Sequence, residues 1–330
     1  MKEKIIITGG CGFIGSGILW ALNRDGLDNI IVVDELGSSD REKNIANLKF
    51  DELIDKDDFI SKVLDNSLSS LNINTIFHLG ACSSTTERDL SYLIENNYNY
   101  SRHIARFSLK NNIRLIYASS AATYGDGFLG FDDKDNIGAL SKLKPLNYYG
   151  YSKQWFDIWA RHSGALDKIV GLKYFNVYGP NEYHKGDMRS FILKAYQQIR
   201  DKGEVSLLKS YKEGVSDGEQ MRDFVYLKDA VKMSLFFFKN RDLGGIYNIG
   251  TGEAHSFNQL VKAVFKALEL KSNIKYIEMP QDIRDQYQYF TQADISKIRR
   301  VGYDSDSYDF DLAVADYVNS YLKLNSYLSS

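Results

Sequence analysis

Cysteine is scarce: Cys11 and Cys82 are the two thiols in 330 residues. With no Cys-x-x-Cys spacing they exclude a disulfide framework, and both are expected as small packed residues. There are three prolines and neither an internal repeat nor a low-complexity tract, which sets aside a proline-rich disordered chain. The five histidines, His78, His103, His162, His184 and His255, show no His-x-x-x-His spacing, so no metal centre is expected. Neither sign of charge dominates: 41 basic against 43 acidic residues leave a net charge of -2. A nucleic-acid partner is therefore not expected, and an anionic ligand must be held by local groups. Long apolar runs are missing too. Met1-Lys2-Glu3-Lys4 leads directly into a short strand, so neither a signal peptide nor a membrane span is read, and the expected location is the cytoplasm.

What is present is the composition of a globular enzyme, 44% hydrophobic and 25% charged, in a chain long enough for two domains. Ile5-Ile6-Ile7-Thr8 reads as a buried parallel strand running into Gly9-Gly10-Cys11-Gly12-Phe13-Ile14-Gly15, after which a helical pattern begins. Gly10-x-Gly12-x-x-Gly15 fits the dinucleotide fingerprint. Its glycines allow a tight turn, close approach of the backbone to a pyrophosphate and close packing of helix on strand. A second apolar run, Ile30 to Val33, ends at Asp34, where a carboxylate can bond the adenosine ribose. A nicotinamide dinucleotide is the expected ligand.

Further apolar runs at Thr75 to Leu79, Ile113 to Ser119 and Ile169 to Tyr174 alternate with helix-like segments near Asp89 to Lys110 and Tyr149 to Arg161. The alternation predicts an α/β fold, a Rossmann-type doubly wound parallel sheet, with ligands beyond the carboxyl ends of its strands. After about Tyr174 the pieces shorten and become rich in glycine and charge, and Tyr211 to Glu219 reads as a solvated loop. A smaller, discontinuous α/β substrate domain is expected there. The assignment gives 1–174, with about 225–254 and 293–306, to dinucleotide binding, and about 175–224, 255–292 and 307–330 to substrate.

Tyr149 and Lys153 lie four apart in Tyr149-Gly150-Tyr151-Ser152-Lys153, so on a helix both project from one face. A phenol with a free pKa of about 10 becomes a usable base when a neighbouring ammonium favours its phenolate. By itself a Tyr-x-x-x-Lys match is weak in a chain with 23 tyrosines.

Taken in order, Thr8 to Gly15, Ser119-Ser120-Ala121-Ala122-Thr123-Tyr124-Gly125, Tyr149 to Lys153, and Tyr174-Phe175-Asn176-Val177-Tyr178-Gly179-Pro180 resemble the extended short-chain dehydrogenase/reductases, which modify nucleotide sugars. Three more stretches, Gly80-Ala81-Cys82-Ser83-Ser84-Thr85-Thr86-Glu87, His184-Lys185-Gly186 and Gln286 to Asp294, make the chain similar over nearly its whole length to the ADP-L-glycero-D-manno-heptose 6-epimerase family. The resemblance implies an isomerase that inverts carbon 6 of ADP-D-glycero-beta-D-manno-heptose by transient oxidation and reduction with bound NADP, for the lipopolysaccharide inner core. It also implies a homo-oligomer, a pentamer.

The resemblance carries over residue by residue. It implies Tyr149 as acid/base on one face, Lys153 as its partner, Ser120 bonding the reacting oxygen, and Lys185 as the second acid/base group; read alone, Lys185 is a loop lysine. It implies a cofactor site from Gly9, Gly12, Phe13, Ile14, Gly15, Asp34, Glu35, Arg41, Lys56, Leu79, Gly80, Ala81, Cys82, Ser83, Asn96 and Val177, with Tyr149, Lys153 and Lys185. For substrate it implies Ser120, Asn176, Asp187, Lys194, Arg222 and Tyr287; a guanidinium fork at Arg222 suits phosphate oxygens, unless it pairs with Asp223. Asp34 by itself favours NAD, and Glu35 stands where the family often has asparagine. Arg41 and Lys56 are the basic groups that suit NADP.

Alternatives differ at particular residues. A sugar dehydratase needs carboxyl groups after Ser120, where Ala121-Ala122 stand. A UDP-sugar 4-epimerase shares Ser120, Tyr149 and Lys153 but leaves the motif around Lys185 unexplained. A dinucleotide-binding regulatory scaffold would dispense with Tyr149 and Lys153.

Overall fold

Runs of β-branched residues with no polar interruption can be buried on both faces at once, and the central sheet uses them so. A computed structural model describes residues 3–37, 40–284 and 287–329; Met1, Lys2 and Gln286, singled out above, lie outside the described residues. Seven strands, β1 Lys4–Thr8, β2 Ile30–Asp34, β3 Glu52–Asp55, β4 Ile73–His78, β5 Arg114–Ser120, β6 Val170–Tyr174 and β7 Gly245–Ile249, pair in parallel in the order β7-β6-β5-β4-β1-β2-β3. Ile5, Ile7, Ile30 and Val32 enter one core while Ile6, Ile31 and Val33 enter the other, because successive side chains point to opposite faces. This is the Rossmann-type doubly wound sheet expected from the alternation of strands and helices. The strand order reverses between β1 and β4, which places a ligand crevice at their carboxyl ends.

Two elements depart from the sequence expectation. β3 has only Leu53 and Ile54 between acidic ends, too little periodicity to read, and it occupies the sheet edge, where flanking charge discourages further pairing. The segment expected as one helix near 89–110 contains a six-residue π-helical stretch, Ile94–Asn99, between Leu90–Leu93 and Tyr100–Lys110. Asn97 on that stretch is buried, and its amide bonds both the N–H and the C=O of Cys82, at 2.8 and 3.0 Å. These bonds offset the local loss of regular helix pairing, in keeping with the association of π-bulges and functional sites.

A third core gathers Tyr178, Ile192, Leu193, Val205, Leu207, Phe224, Leu260, Val264, Val314 and Tyr317, among others. Around it lie three two-stranded pairings: Asn176–Tyr178 with Phe224–Tyr226, Val205–Leu208 with Ile274–Ile277, and Met221–Arg222 with His255–Ser256. Residues 211–219 form no helix or strand and are mostly exposed. Among the described residues no helix is long and apolar enough to cross a membrane.

Candidate active site

The glycine turn after β1 is shaped by contacts that a side chain would prevent. Gly9 has φ +67°, and a Cβ there would lie 2.6 Å from the Gly80 nitrogen; a Cβ on Gly15 would lie 2.1 Å from the Gly9 oxygen. The turn opens the helix Phe13–Arg24, whose N-cap, Gly12, supplies no side-chain bond and whose first turn has no acidic residue. The helix end therefore keeps its positive dipole and N–H groups for an anion. At the end of β2, Asp34 accepts from the Cys11 and Glu35 amides, each at 2.9 Å, and from Arg41 at 2.9 Å. Lys56 sits 2.9 Å from Glu35 and 3.4 Å from Asn96.

All nineteen residues that the resemblance assigned to the cofactor line one cavity of about 540 Å³, with Ser120 and His184 on the same wall. Its size and its glycine-and-helix floor fit a dinucleotide.

Tyr149 and Lys153 stand on the helix Tyr148–His162, started by Asn147, whose side chain accepts from the Gly150 N–H at 2.8 Å. Burial raises the Tyr149 phenol above its ordinary pKa, and a hydrogen bond with Ser120 opposes the rise. Burial pulls the Lys153 ammonium down to about 8, opposed by the Asp157 charge; its Nζ donates to the Ala118 carbonyl at 2.9 Å. The spacing predicts Lys153 as the group that lowers the phenol. In this geometry Ser120 holds that place, and Lys153 is tied to the end of β5. Lys185 enters from a different element, the 3-10 segment Tyr183–Met188, with Nζ 4.9 Å from the centre of the Phe13 ring. Burial lowers its pKa, Glu182 acts to raise it, and Lys194 adds to the fall.

Beneath these groups lie polar networks that sequence reasoning missed. Asp157, one turn beyond Lys153, is fully buried; it accepts from Tyr117 at 2.9 Å and Ser119 at 2.8 Å, and pairs with buried Lys173 at 3.0 Å. A second chain begins at the Gly80 N–H, which donates to Thr8 Oγ1 at 3.1 Å. Thr8 then meets His78 Nδ1 at 2.7 Å, His78 Nε2 meets Ser101 Oγ at 2.8 Å, and Ser101 donates to the Asn97 carbonyl at 2.5 Å. Each hydroxyl can donate once, so the pattern requires a neutral His78 protonated on Nε2; burial, which lowers its pKa to about 3, agrees. From Asn97 the chain continues to Ser152 at 3.0 Å and on to the Tyr149 carbonyl at 2.7 Å. The glycine turn and the Tyr149 helix are thus joined by two strings of bonds that meet at Asn97, one at its main-chain carbonyl and the other at its side-chain amide. The only sequence signal was polar residues in apolar surroundings: His78 closing an apolar strand and Asp157 in an aromatic helix.

The residues assigned to substrate do not all gather in the cavity. Ser120 does, whereas Asn176, Asp187, Lys194, Arg222 and Tyr287 are not on its wall. Asn176 is exposed and 3.5 Å from Thr291, and Lys194 donates to the Asp187 carbonyl at 2.6 Å. Arg222 is buried between the rings of Phe257 and Tyr287, 5.8 and 5.6 Å from their centres. It donates to the Met221 and Gln288 carbonyls rather than to Asp223, whose carboxylate is taken by Thr251, Gly252 and Ala293. Among the described residues the guanidinium is bonded to carbonyls and stacked on rings, with no carboxylate partner, so it keeps its charge for an anionic ligand.

The profile of the NAD dependent epimerase/dehydratase family matches residues 5–250. The ADP-L-glycero-D-manno-heptose-6-epimerase of Nitratidesulfovibrio vulgaris is 48% identical over 96% of this chain and 97% of its own length. The chain belongs to the NAD dependent epimerase/dehydratase family and, within it, to the ADP-L-glycero-D-manno-heptose-6-epimerase family. The protein of that name from Fusobacterium nucleatum is 47% identical over 98% of this heptose-epimerase-family chain and 100% of its own. Among solved structures, the Helicobacter pylori ADP-L-glycero-D-manno-heptose-6-epimerase matches with TM-score 0.76 and 28% identity over 97% of this chain and 96% of that one. The family's dependence on a nicotinamide dinucleotide agrees with the cradle around Gly9, Gly12 and Gly15.

Proposed function

We propose that this chain inverts carbon 6 of ADP-D-glycero-beta-D-manno-heptose, yielding the ADP-L-glycero sugar for the inner core of lipopolysaccharide. What supports the reading is that two acid/base side chains, Tyr149 and Lys185, reach one dinucleotide-sized cavity from separate elements. The names of the relatives agree. Carbon 6 bears an ordinary carbinol with no adjacent carbonyl to acidify its hydrogen, so simple deprotonation is closed. A nicotinamide held by the glycine turn, Asp34 and Lys153 would supply reversible removal of hydride from that carbon. The protein's part is to orient and to move protons. Ser120 bonds the reacting oxygen and Tyr149 takes its proton; once the ketone has turned, Lys185 delivers a proton to the oxygen in its new position. Arg222 holds the diphosphate, and Asn176, Asp187, Lys194 and Tyr287 contact the rest of the substrate.

Conversion in deuterated water, followed by NMR, tests the reading. The product is expected to retain protium at carbon 6. Deuterium at that carbon rules out return of the same hydride, and absence of conversion rejects the sugar assignment.

For the dinucleotide the reading is NADP. Arg41 and Lys56 bring two positive charges to the ribose end of the cavity, where a 2′-phosphate would compete for them with Asp34 and Glu35. The mass of the nucleotide released from purified protein by denaturation is expected to be that of NADP. NAD alone would mean that the two carboxylates keep their cations.

A further inference from the structure

Outside the proposed chemistry, the chain buries one more carboxylate that acts on it. Glu182 lies immediately before the segment carrying Lys185 and has no exposed surface. Among the described residues it accepts four hydrogen bonds: from the Gly179 N–H at 3.3 Å, the Ser190 N–H at 2.5 Å, the Ser190 hydroxyl at 2.6 Å and the Tyr317 hydroxyl at 3.0 Å. Gly179 and Ser190 bracket the segment, so one carboxylate ties both of its ends together. The bond from Tyr317 anchors it to the π-helical stretch Tyr317–Leu322 near the carboxyl end of the chain, 135 positions away. All four donors are neutral. They satisfy the lone pairs of Glu182 without cancelling its charge, which acts through a poorly screening interior.

We propose that Glu182 is the positioning residue of Lys185: it ties together both ends of the lysine's segment, fixes that segment against the cavity and sets a buried carboxylate beside it. This rests on the reading of Lys185 as the second acid/base group. The groups facing Lys185 account for the need. Burial and Lys194, on the helix Phe191–Lys202, both disfavour its charge, and Glu182 is the group that opposes them. His184 beside it is held neutral by burial, Arg41 and Lys185 itself, so it adds no further charge. From the glycine turn, the uncharged Phe13 ring faces Lys185 Nζ. Burial holds the Tyr183 and Tyr317 phenols protonated, and the Glu182 charge adds to it.

Two substitutions act on Lys185 with opposite signs. Glu182→Gln removes the negative charge, so the Lys185 pKa falls. Tyr317→Phe leaves the net charge in place and removes an O–H dipole whose positive end faces Glu182, so the Lys185 pKa rises. Competitive trace acetylation across pH, read by mass spectrometry on the Lys185 peptide, measures both. In turnover of the ADP-heptose, Glu182→Gln is expected to lower kcat about tenfold, part of the factor of about 100 to 10,000 that a positioned acid/base group contributes. The limb of the pH profile that reports a protonated Lys185 moves to lower pH with it. If Glu182→Gln does not fold, Tyr317→Phe carries the test through its upward shift. A Lys185 titration unmoved in Tyr317→Phe, or in a folded Glu182→Gln, overturns the role of Glu182. Full turnover in Lys185→Met overturns the acid/base reading instead, and the labelling still reports whether Glu182 sets the lysine's charge.

Discussion

Replacing Tyr149 with phenylalanine is expected to lower kcat about 100- to 10,000-fold while the purified protein keeps its nucleotide. That range corresponds to about 2.7 to 5.5 kcal/mol of barrier. It should fall on chemistry and not on folding. The Tyr149 ring is half-buried and stays in place as phenylalanine, and Ser120, which still accepts from the Ala122 N–H at 3.1 Å, is itself half-buried on the cavity wall and can turn its O–H to the cavity, so removal of the phenol strands no fully buried donor. The cradle of Gly9, Gly12 and Gly15 lies on other elements and is untouched. Single-turnover kinetics, with the stoichiometry of released nucleotide, measure the two effects separately. A variant retaining a tenth of its turnover, or losing its nucleotide, would deny Tyr149 the assigned role.

Lys173→Met should be the most damaging single change to stability away from the cavity wall, destabilising by about 3 to 5 kcal/mol. Lys173 and Asp157 are 1% and 0% exposed in their side chains, so the substitution leaves in the interior a carboxylate that has lost its paired cation and keeps, among the described residues, hydrogen bonds from the Tyr117 and Ser119 hydroxyls. Lys173 also bonds the Thr123 hydroxyl at 2.5 Å and lies 4.9 Å from the Tyr124 ring centre, so the loss reaches the turn that follows Ser120. Removing both charges, as Asp157→Asn with Lys173→Met, should recover much of the stability, because no ion is then left unpaired. Urea unfolding reads all three proteins. A loss below about 1 kcal/mol in Lys173→Met, the scale of an exposed pair, would show that the interior charge is satisfied without Lys173.

Features readable along a short stretch of chain were legible before the structure. The strand, glycine turn and helix from Lys4 to Arg24 are contiguous, and the Tyr149 to Lys153 spacing is one helical turn. Each requires only local geometry. β3 was not legible because two apolar residues carry no periodicity, and the π-helical stretch was not because the bonds that offset its irregular pairing, between Cys82 and Asn97, span 15 positions. The direction of Lys153 Nζ was also beyond reach: spacing puts it on the same face as Tyr149, but its partner is Ala118, 35 positions earlier and on another element.

The amino-acid order alone therefore determined most of the sheet, the dinucleotide cradle and the Tyr149 and Lys153 pair, because glycine sterics, strand burial and helical spacing act between near neighbours; Ser120, Lys185 and Arg222 were carried over by family resemblance. The folded chain decided which charges stand beside them. Asp157 reaches Lys173 and acts on Lys153, Glu182 closes the Lys185 segment with help from Tyr317, and His78 links the glycine turn to the Tyr149 helix. Those pairings set how easily a lysine keeps its proton. Electrostatic influence depends on distance through a water-poor interior, and that distance exists only once segments far apart in the chain are packed together.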